Sequence, residues 1–242
     1  RDIMKTLELK KNFYWLGVQD PELRVFDIIM ETEYGSSYNS YLLKGSEKTA
    51  LFETAKAKFL DKYLEKLGEL TDVAAIDYLV VDHTEPDHAG SAARLLELNP
   101  DITLVGSQTA IAFMKEIMNR EFNSLVVKEG DTLSLGDKTL RFISAINLHW
   151  PDAMYTYIEE DKTLVTCDSF GVHYSYEPVL ISALRKEGPE TYENYLSALR
   201  YYYDCIMRPF APFVQKALDR IRNLDYDMVC PGHGPVLDEN PR

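Results

Sequence analysis

Residues 76–91 read IDYLVVDHTEPDHAGS, an apolar run followed at once by a cluster of potential metal ligands. The run Ile76–Val81 shows no alternation of polar and apolar residues, which predicts a strand buried on both faces. The turn after it lies at the carboxyl end of that strand, where side chains point into a shared crevice. The side chains in this turn that can bind metal are His83, Glu85, Asp87 and His88. The alternative, an acidic surface turn, would place two of the chain's five histidines there by chance.

Three further ligand-type residues also follow predicted strands. They are His149 after Thr139–Ser144, Asp168 after Thr163–Cys167, and His233 in a Pro-Gly-His-Gly-Pro loop after the last strand. A single histidine at a strand end is more often a hydrogen-bonded core residue than a ligand. Three such positions together with the cluster favour a set of seven ligands for two metal ions.

The predicted elements indicate one α+β domain over residues 1–242. Strands are predicted over Phe13–Val18, Arg24–Met30, Asn39–Leu43, Ala50–Glu53, Ile76–Val81, Ile102–Val105, Leu133–Leu135, Thr139–Ser144, Met154–Glu159, Thr163–Cys167 and Tyr226–Cys230. Helices are predicted over Lys56–Leu70, Ala89–Leu98, Gln108–Met118 and Glu190–Asn223, the last interrupted by Pro209 and Pro212. This order suggests two sheets with helices outside them, a four-layer αββα sandwich.

Composition narrows the classes of partner. The net charge of -13 argues against a nucleic-acid partner, because phosphate binding depends on clustered Lys and Arg. No stretch approaches the roughly 20 apolar residues of a membrane span, and no secretory signal is visible. The cysteines are scattered and odd in number, which favours a reducing, cytoplasmic compartment. Arg1 is not a natural translation start, so upstream residues are expected.

The ligand pattern resembles the metallo-β-lactamase superfamily and, within it, the diiron domain of the flavodiiron proteins. Further matching phrases are His-Trp-Pro-Asp at 149–152, Asp-Ser-Phe-Gly at 168–171 and Gly-Ser-Ser-Tyr-Asn-Ser-Tyr at 35–41. The resemblance implies a metallo-β-lactamase-like fold and two iron ions. One iron would bind His83, Glu85 and His149, and the other Asp87, His88 and His233. Asp168 would bridge them, together with an oxo or hydroxo group.

Glu85 decides between iron and zinc. Hydrolases of the superfamily have a histidine at this position, which gives a nitrogen-rich site suited to zinc. A carboxylate there adds negative charge and a hard oxygen donor, as in the His/carboxylate sites of non-haem iron. A binuclear zinc hydrolase stays an alternative, since zinc generally binds more tightly than ferrous iron.

The resemblance leaves two classes of function. In longer flavodiiron proteins a flavodoxin-like domain follows, and we expect neither that domain nor an FMN site within this chain. The protein is then an oxidoreductase that reduces O₂ or NO with electrons from a separate donor such as rubredoxin or flavodoxin. Alternatively, it is an O₂ sensor that reports to a signalling partner, since it resembles the stand-alone, oxygen-binding diiron proteins of bacterial chemotaxis. By the same resemblance we expect a homodimer.

Several residues near these motifs have two interpretations each. His173 and Tyr174 are candidates for catalytic support, through a hydrogen bond or a proton near the bound gas; ordinary packing is the alternative. The same holds for Tyr176 and Trp150. Some flavodiiron proteins have a histidine after the phenylalanine that Phe26 matches, and Asp27 takes that position here.

The run Tyr201-Tyr202-Tyr203 spans more than one face of a helix, so at least one ring should be exposed or lie in an interface. Cys167 and Cys230 precede ligand-bearing turns. We expect them to be small buried strand residues rather than ligands.

Overall fold

The computed structural model describes residues 5–242, and the larger of its sheets comes from the first half of the chain. In spatial order its strands are β1 (Leu7–Lys10), β2 (Phe13–Trp15), β7 (Tyr41–Lys44), β8 (Thr49–Phe52), β9 (Tyr78–Val80), β10 (Thr103–Gly106) and β11 (Asn123–Val126). The strands β8, β9, β10 and β11 run parallel to one another. Their carboxyl ends therefore share one edge of the sheet.

The smaller sheet comes from the second half of the chain. In spatial order its strands are β12 (Thr132–Ser134), β13 (Thr139–Ser144), β14 (Met154–Ile158), β15 (Thr163–Cys167) and β16 (Met228–Pro231). The strands predicted on either side of Gly136 and of Glu160 form hairpins, because β12 pairs with β13 and β14 with β15 in antiparallel register. The last strand, β16, lies parallel to β15, so two ligand-bearing strand ends are neighbours.

Side chains on alternate faces of the strands divide the core. Phe52 and Val80 of the larger sheet and Phe142 and Val165 of the smaller one form a cluster between the sheets. Their neighbours Leu51, Leu79 and Leu164 belong to a second cluster, which they share with helix residues. The helices are α1 (Leu60–Leu70), α2 (Pro86–Ala89), α3 (Ala92–Leu98), α4 (Gln108–Met118), α5 (Ile181–Glu187), α6 (Pro189–Tyr202) and α7 (Ala211–Ile221). The predicted α+β sandwich is confirmed.

Residues 24–31 depart from the prediction. The segment Arg24–Met30, predicted as one strand, is a hairpin in which β4 (Val25–Phe26) pairs with β5 (Met30–Glu31). The chain reverses where Asp27 and Ile28 have left-handed backbones, with φ of 46° and 73°. The single-strand prediction was wrong because the apolar residues suggested one run, whereas Phe26 is buried and Ile28 is 93% exposed. A further short pair, β3 (Val18–Asp20) with β6 (Ser36–Tyr38), lies on either side of this hairpin in sequence.

Helix interruptions also differ in detail. The helix predicted over Ala89–Leu98 is split into α2 and α3 around Gly90 and Ser91. Between α6 and α7 lies a π-helical turn, Tyr203–Met207, a form that is often found at functional sites. Within residues 5–242, no helix combines the length and the apolar character needed to cross a membrane.

Candidate metal centre

Four of the predicted ligands form the first donor group. Ligand atoms of His83, Glu85, His149 and Asp168 lie within 4.8 Å of one another. The Nε2 atoms of His83 and His149 lie 3.2 and 3.0 Å from the same Glu85 oxygen, Oε2. His83 is fully buried, whereas the side chains of Glu85 and His149 keep 13% and 18% of their surface exposed. This group therefore opens to the outside on the Glu85–His149 side.

The second donor group consists of Asp87, His88 and His233, whose ligand atoms also lie within 4.8 Å of one another. Oδ2 of Asp87 lies 3.0 Å from Nε2 of His233 and 3.3 Å from Nε2 of His88. These residues are all buried, and neither Asp87 oxygen has a hydrogen-bond partner of regular geometry among the described residues. An unpaired buried carboxylate is costly unless a cation binds it.

Asp168 joins the two groups. Its Oδ1 lies 2.8 Å from Nε2 of His88, in the second group. Its Oδ2 lies 3.3 Å from Nε2 of His83 and 3.2 Å from Nε2 of His149, in the first group. One carboxylate thus presents one oxygen to each group. All seven residues that the sequence singled out are brought together, in the division that the resemblance implied.

Residues outside the seven orient the histidine rings. The carboxylate of Asp152 lies 3.1 Å from Nδ1 of His83 and accepts hydrogen bonds of 2.7 Å from the backbone and hydroxyl of Thr84. Nδ1 of His233 donates to the carbonyl of Ser37 at 2.6 Å. These contacts hold the proton on Nδ1 and turn the Nε2 lone pair towards the centre.

The phrase at residues 35–41 fixes the loop that carries His233. The side-chain amide of Asn39 donates to the carbonyls of Pro231 and Gly234, and its backbone N–H donates to the carbonyl of Gly232. The hydroxyl of Ser37 accepts from the backbone N–H of Gly234. These hydrogen bonds join residues 37–39 to residues 231–234, the loop that carries His233, although the two segments are far apart in sequence.

Glu53 holds the ligand turn from below. Its Oε1 accepts from the backbone N–H of Asp82 at 2.6 Å and from that of His83 at 3.3 Å. Glu53 itself has a left-handed backbone, with φ of 56°. Burial raises the pKa of both the Glu53 and the Asp82 carboxyl groups. The sequence analysis did not identify Glu53 or Asp152 as site residues, although each is an acid next to a strand end or a ligand.

The carboxylates and imidazoles of the two donor groups shift one another's pKa values. Burial alone would raise the pKa of Glu85, but hydrogen bonds from His149 and His83 outweigh it and lower the pKa. Burial disfavours charge on His149 and His233, yet Asp168 and Glu85 raise the pKa of His149 to about 9, and Asp87 and Asp168 raise that of His233 to about 9. Protons on the imidazoles offset the carboxylates, and metal ions that bind here would displace them. Four imidazoles and three carboxylates are a donor set that fits two divalent cations.

Some of the residues that the sequence left with two interpretations lie beside the donor groups, and others lie away from them. His173 is 95% buried, its ring centre lies 4.8 Å from that of His233, and its Nδ1 pairs with the hydroxyl of Ser36 at 2.8 Å. The Trp150 ring packs edge-on against His83 at 5.1 Å. Partial burial and the Glu85 carboxylate raise the pKa of Asp27 to about 6, which places Asp27 beside the first group.

Tyr174 and Tyr176 lie elsewhere. The Tyr174 ring stacks on Tyr34 at 5.0 Å, and the Tyr176 hydroxyl donates to Glu187. Their positions lend no support to a role at the centre. Of the tyrosine run, Tyr202 is buried while Tyr201 and Tyr203 are 41% and 40% exposed, which confirms the expected exposed ring. Cys167 and Cys230 are buried, as expected, and Sγ of Cys167 lies within 4.8 Å of ligand atoms of Glu53 and His88.

Comparison with known proteins gives a consistent result. The family described as ODP family beta lactamase matches residues 37–234. The flavo-diiron protein FprA2 of Clostridium acetobutylicum is 43% identical over 236 residues, which cover 97% of this chain and 58% of that protein. This chain therefore spans less than two thirds of that relative's length.

Two solved structures are similar throughout. Rubredoxin oxygen:oxidoreductase from Desulfovibrio gigas has a TM-score of 0.89 at 31% identity and covers 96% of this chain. The flavodiiron protein from Giardia intestinalis has a TM-score of 0.91 at 26% identity and covers 99% of this chain. The match takes up 57% of each of those chains.

The hydrogen bonds of Asp152 predict a role in metal retention. Replacing Asp152 with Asn keeps the shape but removes the charge that holds His83, so metal affinity should fall by about 10- to 100-fold. Chelator competition followed by metal analysis measures this. Asp61→Asn, on the exposed face of α1, serves as the control. Equal metal retention in D152N and the control would show that Asp152 does not orient His83.

The backbone of Gly232 predicts a steric effect on His88. A Cβ at this position would lie 2.7 Å from Cε1 of His88, closer than any normal contact. Gly232→Ala should therefore displace His88 and reduce the bound metal from two ions towards one per chain. Gly68→Ala is the matched control, since nothing lies within 4 Å of its Cβ. Two ions retained in G232A would mean that the loop absorbs the methyl group.

Proposed function

Because the chain belongs to the family of flavodiiron proteins, which have a metallo-β-lactamase-like domain, we propose that it binds two iron ions and reduces dioxygen at them. The ligands are the seven residues of the two donor groups. Electrons come from a separate donor. The position of Asp168 is the observation that carries the proposal, because one carboxylate presents an oxygen to each of two donor groups.

Glu85 supports iron over zinc. Its carboxylate lies against both histidines of the first group, so that group has two carboxylates and two imidazoles. Such a mixed set suits iron, whereas a nitrogen-rich set suits zinc. A zinc hydrolase would be expected to have a neutral imidazole where Glu85 lies.

The protein's own residues prepare the site for a small neutral ligand. Bound iron would supply the redox chemistry. His83, His88 and Asp168 exclude water on the inner side, since each is at least 98% buried. The partly exposed side chains of Glu85 and His149 mark the accessible side. His173 lies against His233 with its Nε2 free to donate or accept a hydrogen bond near the centre. We assign His173 to this support.

The electron requirement implies a partner. Complete reduction of O₂ to water takes four electrons, and two ferrous ions supply two of them. The relative from Desulfovibrio gigas is named for rubredoxin, so we propose a donor of that kind, or a flavodoxin, for this protein. NO is the second proposed substrate of the same site. Coupling of two NO molecules takes two electrons, the number that two ferrous ions supply. A homodimer is proposed on the resemblance alone.

Turnover distinguishes a reductase from a sensor. Protein loaded anaerobically with two ferrous ions, mixed with O₂ and excess reduced rubredoxin, should consume O₂ over many turnovers. An oxygen electrode and the oxidation spectrum of rubredoxin measure this, with His83→Ala as the metal-deficient control. A single slow reaction that no donor accelerates would support an O₂ sensor instead. Two zinc ions with no iron in protein isolated without added metal would support the hydrolase.

Glu85 also predicts metal preference. Glu85→His should shift the zinc-to-iron ratio of protein expressed with equal amounts of both metals by about tenfold towards zinc. Glu85→Asp keeps the carboxylate and should keep iron, which makes it the matched control. Mass spectrometry of the bound metals measures both variants. If E85H retained iron as well as E85D does, the charge at residue 85 would not select the metal.

A further inference from the structure

Two cavities of opposite character meet at Tyr202. The first has a volume of about 570 Å³ and the second about 220 Å³, and the ring of Tyr202 lines both. This ring is 97% buried and lies edge-on to His173, at 5.0 Å between ring centres. It also lies 6.3 Å from the ring of His233, a proposed ligand. Tyr202 is therefore a shared wall next to the metal centre.

The larger cavity is apolar. Its sides are formed by Leu199 of α6, Met207 of the π-helical turn, and Val214 and Leu218 of α7. The hydroxyls of Tyr155 and Ser169, which also line it, satisfy each other through a hydrogen bond of 2.7 Å. The cavity is open to solvent on the side of Tyr203 and Leu218, which are 40% and 37% exposed, but its lining is mainly apolar. A lining of this kind accepts apolar guests such as xenon.

One end of this cavity lies against the segment that follows the proposed bridging ligand. Ser169, Phe170 and Gly171 line it and directly follow Asp168 in the chain. Its mouth is marked by the exposed residues Arg200 and Asp204. The cavity thus leads from the surface to the turn that holds Asp168, with Tyr202 as the remaining barrier.

The smaller cavity has unpaired polar atoms. Oγ1 of Thr32 and Nε2 of His173 both belong to residues that line it, both are buried, and neither has a hydrogen-bond partner among the described residues. A space of this size with such groups is suited to ordered water. It is therefore a poor reservoir for an apolar gas, which would have to displace that water.

We infer that the apolar cavity is a route and reservoir by which a neutral diatomic gas reaches the metal centre. O₂ and NO carry no charge and form weak hydrogen bonds, so they partition into a space with a mainly apolar lining in preference to a polar, hydrated one. The inference rests on the proposed function, because that function supplies the gas. It adds a path besides the open Glu85–His149 side, and it assigns Tyr202 as the wall between this cavity and the metal centre.

Xenon and O₂ test this route with a matched pair of variants. Leu218→Trp fills the apolar cavity from α7, and Ser197→Trp fills the polar one from the exposed face of α6. Crystals pressurised with xenon should show a xenon site in the apolar cavity of the wild type and of S197W, and none in L218W. In stopped-flow mixing of diferrous protein with O₂, L218W should react about threefold more slowly, since this path is blocked while the Glu85–His149 side stays open. S197W should match the wild type.

The outcomes are separable. Absence of xenon from the wild-type cavity, or an L218W variant that reacts as fast as S197W, would overturn the route. A wild type that binds xenon but does not react with O₂ would instead defeat the proposed function. Iron content and thermal unfolding of each variant exclude a folding defect, and Val214→Phe replaces Leu218→Trp if the latter does not fold.

Discussion

The structure depends on bringing three carboxylates to one buried point. Glu85, Asp87 and Asp168 converge where strands of both sheets end. Negative charges that lie close together repel one another strongly in a low-dielectric interior. Four imidazoles surround them, and only cations or protons can neutralise the group. This constraint accounts for the raised pKa values of His149 and His233, and Asp87 has no regular hydrogen-bond partner among the described residues. The site is organised for charges that metal ions supply.

The supporting residues follow from the same constraint. A histidine can present its Nε2 lone pair to a cation only if its Nδ1 proton has an acceptor. Asp152 is that acceptor for His83, and the carbonyl of Ser37 is that acceptor for His233. Glu53 adds a carboxylate that holds the backbone of the ligand turn. The ligand turn is thus fixed by both its side chains and its main chain, which reduces the entropy lost when metal binds.

The sequence singled out the seven residues of the two donor groups because their signal is local: each is a metal-binding residue type that closely follows a strand. The same reasoning gave the sandwich, since buried strands and amphipathic helices have distinct periodicities. Asp152 and Glu53 were missed because their partners lie far away in sequence, 69 residues in the pairing of Asp152 with His83. The reversal at Asp27 was missed because Asp27 and Ile28 have left-handed backbones, and neither is a glycine, the residue that usually indicates this conformation in a sequence. Contacts set by tertiary packing have no periodicity to reveal them.

The tyrosine run shows how much depends on one buried member. Its exposed members Tyr201 and Tyr203 follow from helical geometry, whereas the burial of Tyr202 between two cavities does not. The π-helical turn begins directly after Tyr202 and changes the path of the chain before α7. Leu199 of α6 and Val214 and Leu218 of α7 line the larger cavity, as does Met207 of the π-helical turn. Under the proposed function an uncharged gas would enter this space, and its mainly apolar lining favours such a gas over ions.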